Sequence, residues 1–136
     1  MMAADDSIAG GASSEKLGKV VLLVDDDPTF RADLHQFLES RGYRVLEASN
    51  GDEALDIMTD EPVNVMVTDL VMPGLNGFEL LRVARQRNAG LAFQSIAITG
   101  TKKIDESLRT MLASLGARTT LQKPINLEAL LRAIVA

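Results

Sequence analysis

Val20-Val21-Leu22-Leu23-Val24 is apolar at every position and is stopped by three aspartates, Asp25, Asp26 and Asp27. The run is too short for a buried helix, and no polar residue alternates with the apolar ones. It therefore predicts a strand, within residues 19–24, that is buried on both faces. A strand of that kind needs helices above and below it, and the rest of the chain supplies them. Pro28 opens a helix to about Arg41, with Phe30, Leu34, Phe37 and Leu38 at helical spacing and Gly42 as its stop. A short strand is expected over 43–48. Asn50 then caps a helix to about Thr59, with Ala54, Leu55 and Met58 facing inward, and Pro62 ends that unit. A second buried strand is expected over 63–68, closed by Asp69. Helices over about 78–87 and 105–115 flank a strand over 93–99. Gly116, a thin strand over 119–122 and a last helix capped by Asn126, with the stripe Leu127, Leu130, Leu131 and Ile134, complete the chain. Strict strand–helix alternation predicts an α/β fold, a doubly wound five-stranded parallel sheet with five helices.

Composition narrows the chemistry. With no cysteine and one histidine, His35, the chain can build neither thiolate metal sites nor a multi-histidine cluster. Its net charge of −5 lacks the basic footprint that nucleic acid requires. No apolar run is long enough to span a bilayer, and the glycine-rich start, broken by Asp5, Asp6 and Glu15, is no secretory signal. The expected compartment is the cytoplasm. Residues 1–18 read as a flexible tail and residues 19–136 as one domain.

In open parallel sheets, ligands bind beyond the carboxyl ends of the strands. Those ends carry Asp25, Asp26 and Asp27, then Asp69, Thr99 and Lys123. Carboxylates gathered this closely repel and call for a cation, and hard oxygen ligands favour Mg²⁺. A carboxylate beside Mg²⁺, an amine and a hydroxyl is equipped to accept a phosphoryl group. Asp69 is the better nucleophile, since it stands alone on a central strand.

Val24-Asp25-Asp26-Asp27-Pro28, Asp69 with Met72-Pro73-Gly74-Leu75-Asn76-Gly77 behind it, Thr99-Gly100 and Lys123-Pro124 together resemble a response-regulator receiver domain. The resemblance covers residues 19–136 and implies a flavodoxin-like strand order 2-1-3-4-5. It implies that Asp69 is the phosphoacceptor. Asp26 would bind Mg²⁺ directly, Asp25 through water, and Val71 through its backbone carbonyl. Thr99 and Lys123 would contact the phosphoryl group, and Pro124 would follow a cis peptide. The implied donor is a sensor histidine kinase or phosphotransfer protein. The implied output is a downstream protein bound on the face of helix 4, strand 5 and helix 5, with a homodimer also compatible. The chain would be no enzyme beyond its own phosphorylation and dephosphorylation, and with no segment after helix 5 it is expected to act as a stand-alone domain.

Two positions depart from the family's usual pattern. Thr120 occupies the place of an aromatic switch, so ring rotation cannot carry the signal. Gly100 occupies the place of a common alanine, which leaves an acyl phosphate more open to water and implies a short-lived phosphoryl state.

Competing expectations are few. Asp25-Asp26-Asp27-Pro28-Thr29 also fits the Asp-x-Asp-x-Thr pattern of haloacid-dehalogenase-like phosphatases, with Asp25 as nucleophile and Asp27 as general acid. That reading needs an acid pair after the late lysine, and only Glu128 follows Lys123. Glycine-rich phosphate-loop and dinucleotide motifs are absent. A receiver-like module that is never phosphorylated is the other alternative. Asp27 alone reads equally as a helix cap. His35 reads as solvent-facing, Met58, Met66, Met72 and Met111 as core or turn residues, and Arg82 and Arg85 as an exposed helix face.

Overall fold

Alternate residues of the first strand enter different cores, because successive side chains point to opposite faces of a sheet. In the computed structural model, which describes residues 19–100 and 103–135, Val20, Leu22 and Val24 pack on one side, and Val21 and Leu23 on the other. All five are buried, as the unbroken apolar run predicts. The expected tail, residues 1–18, lies outside the described residues.

Ten elements alternate along the chain. They are β1 (Val20–Val24), α1 (Pro28–Ser40), β2 (Arg44–Ala48), α2 (Gly51–Asp60), β3 (Val65–Asp69), α3 (Gly77–Arg87), β4 (Gln94–Thr99), α4 (Glu106–Ser114), β5 (Ala117–Gln122) and α5 (Leu127–Val135). The strands are parallel, in the order β2-β1-β3-β4-β5. Leu34 and Leu38 of α1 and Leu130 and Ile134 of α5 share one core with Val65, Val67, Ile96 and Ile98. Ala54 of α2, Leu80, Leu81 and Ala84 of α3, and Leu108 and Leu112 of α4 fill the other core with Met66. The sheet is thus covered on both faces, as right-handed crossovers require.

Local chemistry sets the helix starts. Asp27, Asn50, Asn76, Asp105 and Asn126 each accept a backbone N–H of the following first turn. Gly42 and Gly116 end helices with positive φ angles of 94° and 98°, where a side chain would be strained.

Three expectations require correction. β5 begins at Ala117, two residues earlier than expected, because exposed Arg118 and half-buried Thr119 interrupt the apolar pattern of this edge strand. Met111 is 45% exposed on α4 and Leu127 is 38% exposed at the start of α5, so neither is core. His35 is held rather than solvated, with Nδ1 2.6 Å from Glu47 Oε2 and Nε2 3.1 Å from Glu39 Oε2. Among the described residues, no helix is long and apolar enough to cross a membrane.

Candidate functional site

The register of the sheet places the ends of β1 and β3 beside each other. Val24 pairs with Thr68, so Asp25 and Asp69 leave adjacent strands at the same height. On the other side of β3, Asp69 pairs with Ile98, one residue before Thr99. Thr99 pairs in turn with Gln122, and the Lys123 amide donates to the Thr99 carbonyl at 2.9 Å. Four strand ends thereby bring the sequence-predicted residues to one rim.

The side chains converge closely. Asp25, Asp26 and Asp69 each offer a carboxylate oxygen, all within 4.8 Å of one another. Asp25 and Asp69 are buried, whereas Asp26 is exposed. Lys123 Nζ lies 2.9 Å from Asp25 Oδ2 and 3.5 Å from Asp69 Oδ2. Asp25 Oδ1 accepts the Asp27 amide at 2.8 Å, and Asp69 Oδ1 accepts the Val71 amide at 3.3 Å. Val71 turns its side chain to solvent. Thr99 is fully buried at the end of β4. The Lys123–Pro124 peptide is cis, as expected.

Electrostatically the rim holds more negative than positive charge. Burial pushes the Asp69 carboxyl above the usual carboxylate range, and the neighbouring Asp25 adds to the rise against the opposing Val71 amide and Lys123. Burial alone would lower the Lys123 ammonium, but its pairing with Asp25 and Asp69 outweighs this and holds it up. Three carboxylates around one ammonium are a hard-oxygen donor set that fits Mg²⁺, which takes few protein carboxylates and retains water. One buried oxygen, Asp25 Oδ2, has Lys123 as its ion-pair partner but no hydrogen bond of good geometry, and it faces this same group.

Two residues of the site were not singled out for it in the sequence. Phe30, expected only as part of the α1 apolar stripe, lies with its ring centroid 4.3 Å from Lys123 Nζ, a cation–π contact that fixes the ammonium from the side of α1. Gly77 opens α3 directly against the end of β3. A β-carbon there would fall 2.3 Å from the Asp69 carbonyl oxygen and 2.6 Å from Leu70 Cα. Phe30 carried no signal beyond helical spacing, whereas Gly77 is the last residue of the turn motif. Asp27 is committed elsewhere, its Oδ1 accepting the amides of Thr29 at 3.0 Å and Phe30 at 3.3 Å. A helix cap thus accounts for Asp27 without the general-acid role that the phosphatase reading needs.

The comparisons with known proteins point the same way. The sequence model of the response regulator receiver domain matches residues 21–135. Protein PilH of Pseudomonas aeruginosa is 37% identical over 116 residues, which cover 85% of this chain and 94% of that protein. Two longer curated regulators match over 85% of the chain, but the chain spans only 46% and 48% of their lengths. Among solved structures, a response regulator receiver protein from Pseudomonas putida superposes with a TM-score of 0.76 at 30% identity, covering 85% of this chain and 94% of that one. A Burkholderia pseudomallei response regulator, solved with a phosphorylated aspartic acid, a calcium ion and citrate, gives 0.76 at 29% identity, covering 85% and 66%. The fold and the site define a phosphoacceptor signalling domain of two-component systems. This chain belongs to the response regulator receiver domain family, whose members are signalling domains rather than enzymes in the usual sense and bind Mg²⁺ at an acidic pocket.

Proposed function

We propose that Asp69 accepts the phosphoryl group, with Mg²⁺ held by Asp25, Asp26, Asp69 and the Val71 backbone carbonyl. The observation that carries this reading is the gathering of three carboxylates within 4.8 Å around a lysine that reaches two of them. The phosphorylated aspartic acid and calcium ion of the Burkholderia pseudomallei regulator support it by analogy. An Asp69 oxygen attacks phosphorus in line, and the bond from phosphorus to the donor breaks as the new P–O bond forms. Mg²⁺, when bound, neutralises charge on the transferring group. Lys123 is placed to leave Asp25 for a phosphoryl oxygen, while Thr99 supplies a hydroxyl from the adjacent strand end. The donor is a histidine kinase or phosphotransfer protein of the cytoplasm, and residues 19–136 form the receiver domain.

The added charge beside Thr99 and Lys123 biases a two-state surface. The proposed output surface is the α4–β5–α5 face, where exposed Met111 and Leu127 offer apolar contact to a protein partner. Thr120, buried on β5, leaves this surface without a rotating ring. Intact mass after incubation with acetyl phosphate tests the proposal. One phosphoryl adduct is expected that requires both Mg²⁺ and Asp69. An adduct that persists in Asp69→Ala would move the phosphoacceptor to another residue, and no adduct together with no binding of beryllofluoride, a stable phosphoryl mimic, would favour the unphosphorylated module.

A further inference from the structure

Asp25 is held by its main chain as well as by its carboxylate. Its amide donates to the Ala48 carbonyl of β2 at 3.1 Å, and its carbonyl accepts Arg31 Nη1 at 2.6 Å. Arg31 is itself fixed from β2, because its Nε donates to Glu47 Oε1 at 2.7 Å. The other oxygen of Glu47 is taken by His35 Nδ1 at 2.6 Å, so both lobes of this carboxylate are engaged. Arg31 is largely covered, with 16% of its side chain exposed. Charge-assisted bonds of these lengths, with one arginine serving two acceptors, set a geometry rather than merely add charge.

The carbonyl that Arg31 grips belongs to the peptide joining Asp25 to Asp26, the two acids of the β1–α1 loop. Rotation of that peptide would swing Asp26, which is exposed, away from Asp69. We infer that Arg31, braced by Glu47, is a positioning residue for the divalent-cation site and holds the Asp25 and Asp26 carboxylates on one point. The inference rests on the metal reading above. Groups that orient metal ligands in this way typically govern affinity by about 10- to 100-fold.

The sign of the effect separates positioning from simple electrostatics. Arg31 is a cation near a cation site, so removing its charge alone would tighten Mg²⁺ binding. Loss of positioning weakens it. The test is calorimetric titration of MgCl₂ into the wild type, Arg31→Met and Arg31→Lys at one ionic strength, with thermal unfolding recorded alongside. Arg31→Met is expected to bind Mg²⁺ about tenfold more weakly. Arg31→Lys, which keeps the charge but lacks the planar fork that serves both the Asp25 carbonyl and Glu47, should show a smaller loss in the same direction. A folded Arg31→Met that binds as tightly as wild type, or more tightly, overturns the inference, even if its unfolding midpoint drops. Should Arg31→Met fail to fold, unchanged affinity in Arg31→Lys overturns it instead. A wild type that takes up no Mg²⁺ removes the metal reading and the inference together, whereas a binding wild type with unaffected variants removes only the inference.

Discussion

The two ends of the sheet use similar polar groups to opposite effect. At the amino end, polar contacts tie neighbouring elements together. Asn64 Oδ1 accepts the Val20 amide at 2.8 Å, Gln94 Nε2 donates to the Ala133 carbonyl at 2.5 Å, and Arg44 pairs with Glu61 at 2.6 Å. At the carboxyl end, two buried carboxylates compete for one ammonium, with a third carboxylate alongside. The amino end is built for stability. The carboxyl end stores repulsion that a bound cation would relieve, the trade expected where function overrides packing.

The largest effect should come from the backbone that carries this end. In Gly77→Ala a β-carbon would meet the Asp69 carbonyl oxygen at 2.3 Å, so the end of β3 or the start of α3 must shift. Urea denaturation is expected to show a loss of about 3 kcal/mol. Gly74→Ala, strained by a φ of 78° but in open space, should cost about 1 kcal/mol. Equal losses would mean that contact with Asp69 is unimportant.

Charge removal should then set the two ends apart. Asp69→Asn relieves a buried, repelled carboxylate and leaves Lys123 paired with Asp25, so a gain of about 1 kcal/mol is expected at neutral pH. Because burial raises the folded pKa of Asp69, its cost is present above that value and fades as pH falls toward the unfolded value near 3.9. The advantage of Asp69→Asn should therefore shrink on acidification. Glu61→Gln, at the amino end, should change stability by no more than about 0.5 kcal/mol. A destabilised Asp69→Asn would contradict the stored repulsion.

Smaller effects sharpen the same contrast. A methyl at Gly100 would contact Lys123 Cδ at 3.3 Å, a flexible neighbour, and would cover the approach of water. Gly100→Ala should slow loss of the phosphoryl group a few-fold, and identical decay rates would end that explanation. His35 should give the least. Burial opposes its protonation, but hydrogen bonds and charge from Glu39 and Glu47 outweigh this and raise its pKa. Its contribution is fully present below about pH 6.5 and is lost as pH rises through the raised folded value. The difference in melting temperature between wild type and His35→Gln should thus narrow from pH 6 to pH 8. A constant gap would show that the ring matters only by packing.

The fold was legible because its signals were local. Continuous apolar runs marked the central strands, and Asp27, Asn50 and Asn126 marked helix starts that the structure confirms by direct capping bonds. The residues at the rim were legible for a related reason, since a parallel sheet delivers every strand's carboxyl end to one edge. What escaped depends on contacts between elements. The Arg31–Glu47–His35 ladder needs α1 laid across β2, and the Phe30 contact needs α1 beside the β5–α5 turn. No periodicity encodes either. Exposure of Met111 and Leu127 was missed likewise, because apolar character alone does not tell a core residue from one on an open face.

The most direct test of the central claim is to trap the phosphoryl group and map it. Borohydride reduces an acyl phosphate to the alcohol, which converts a phosphorylated aspartate to homoserine. After acetyl phosphate and Mg²⁺, peptide mass mapping should find homoserine at position 69 and nowhere else. Homoserine at position 25 or 26 would assign the nucleophile to the acid loop and contradict the division of roles argued from the geometry.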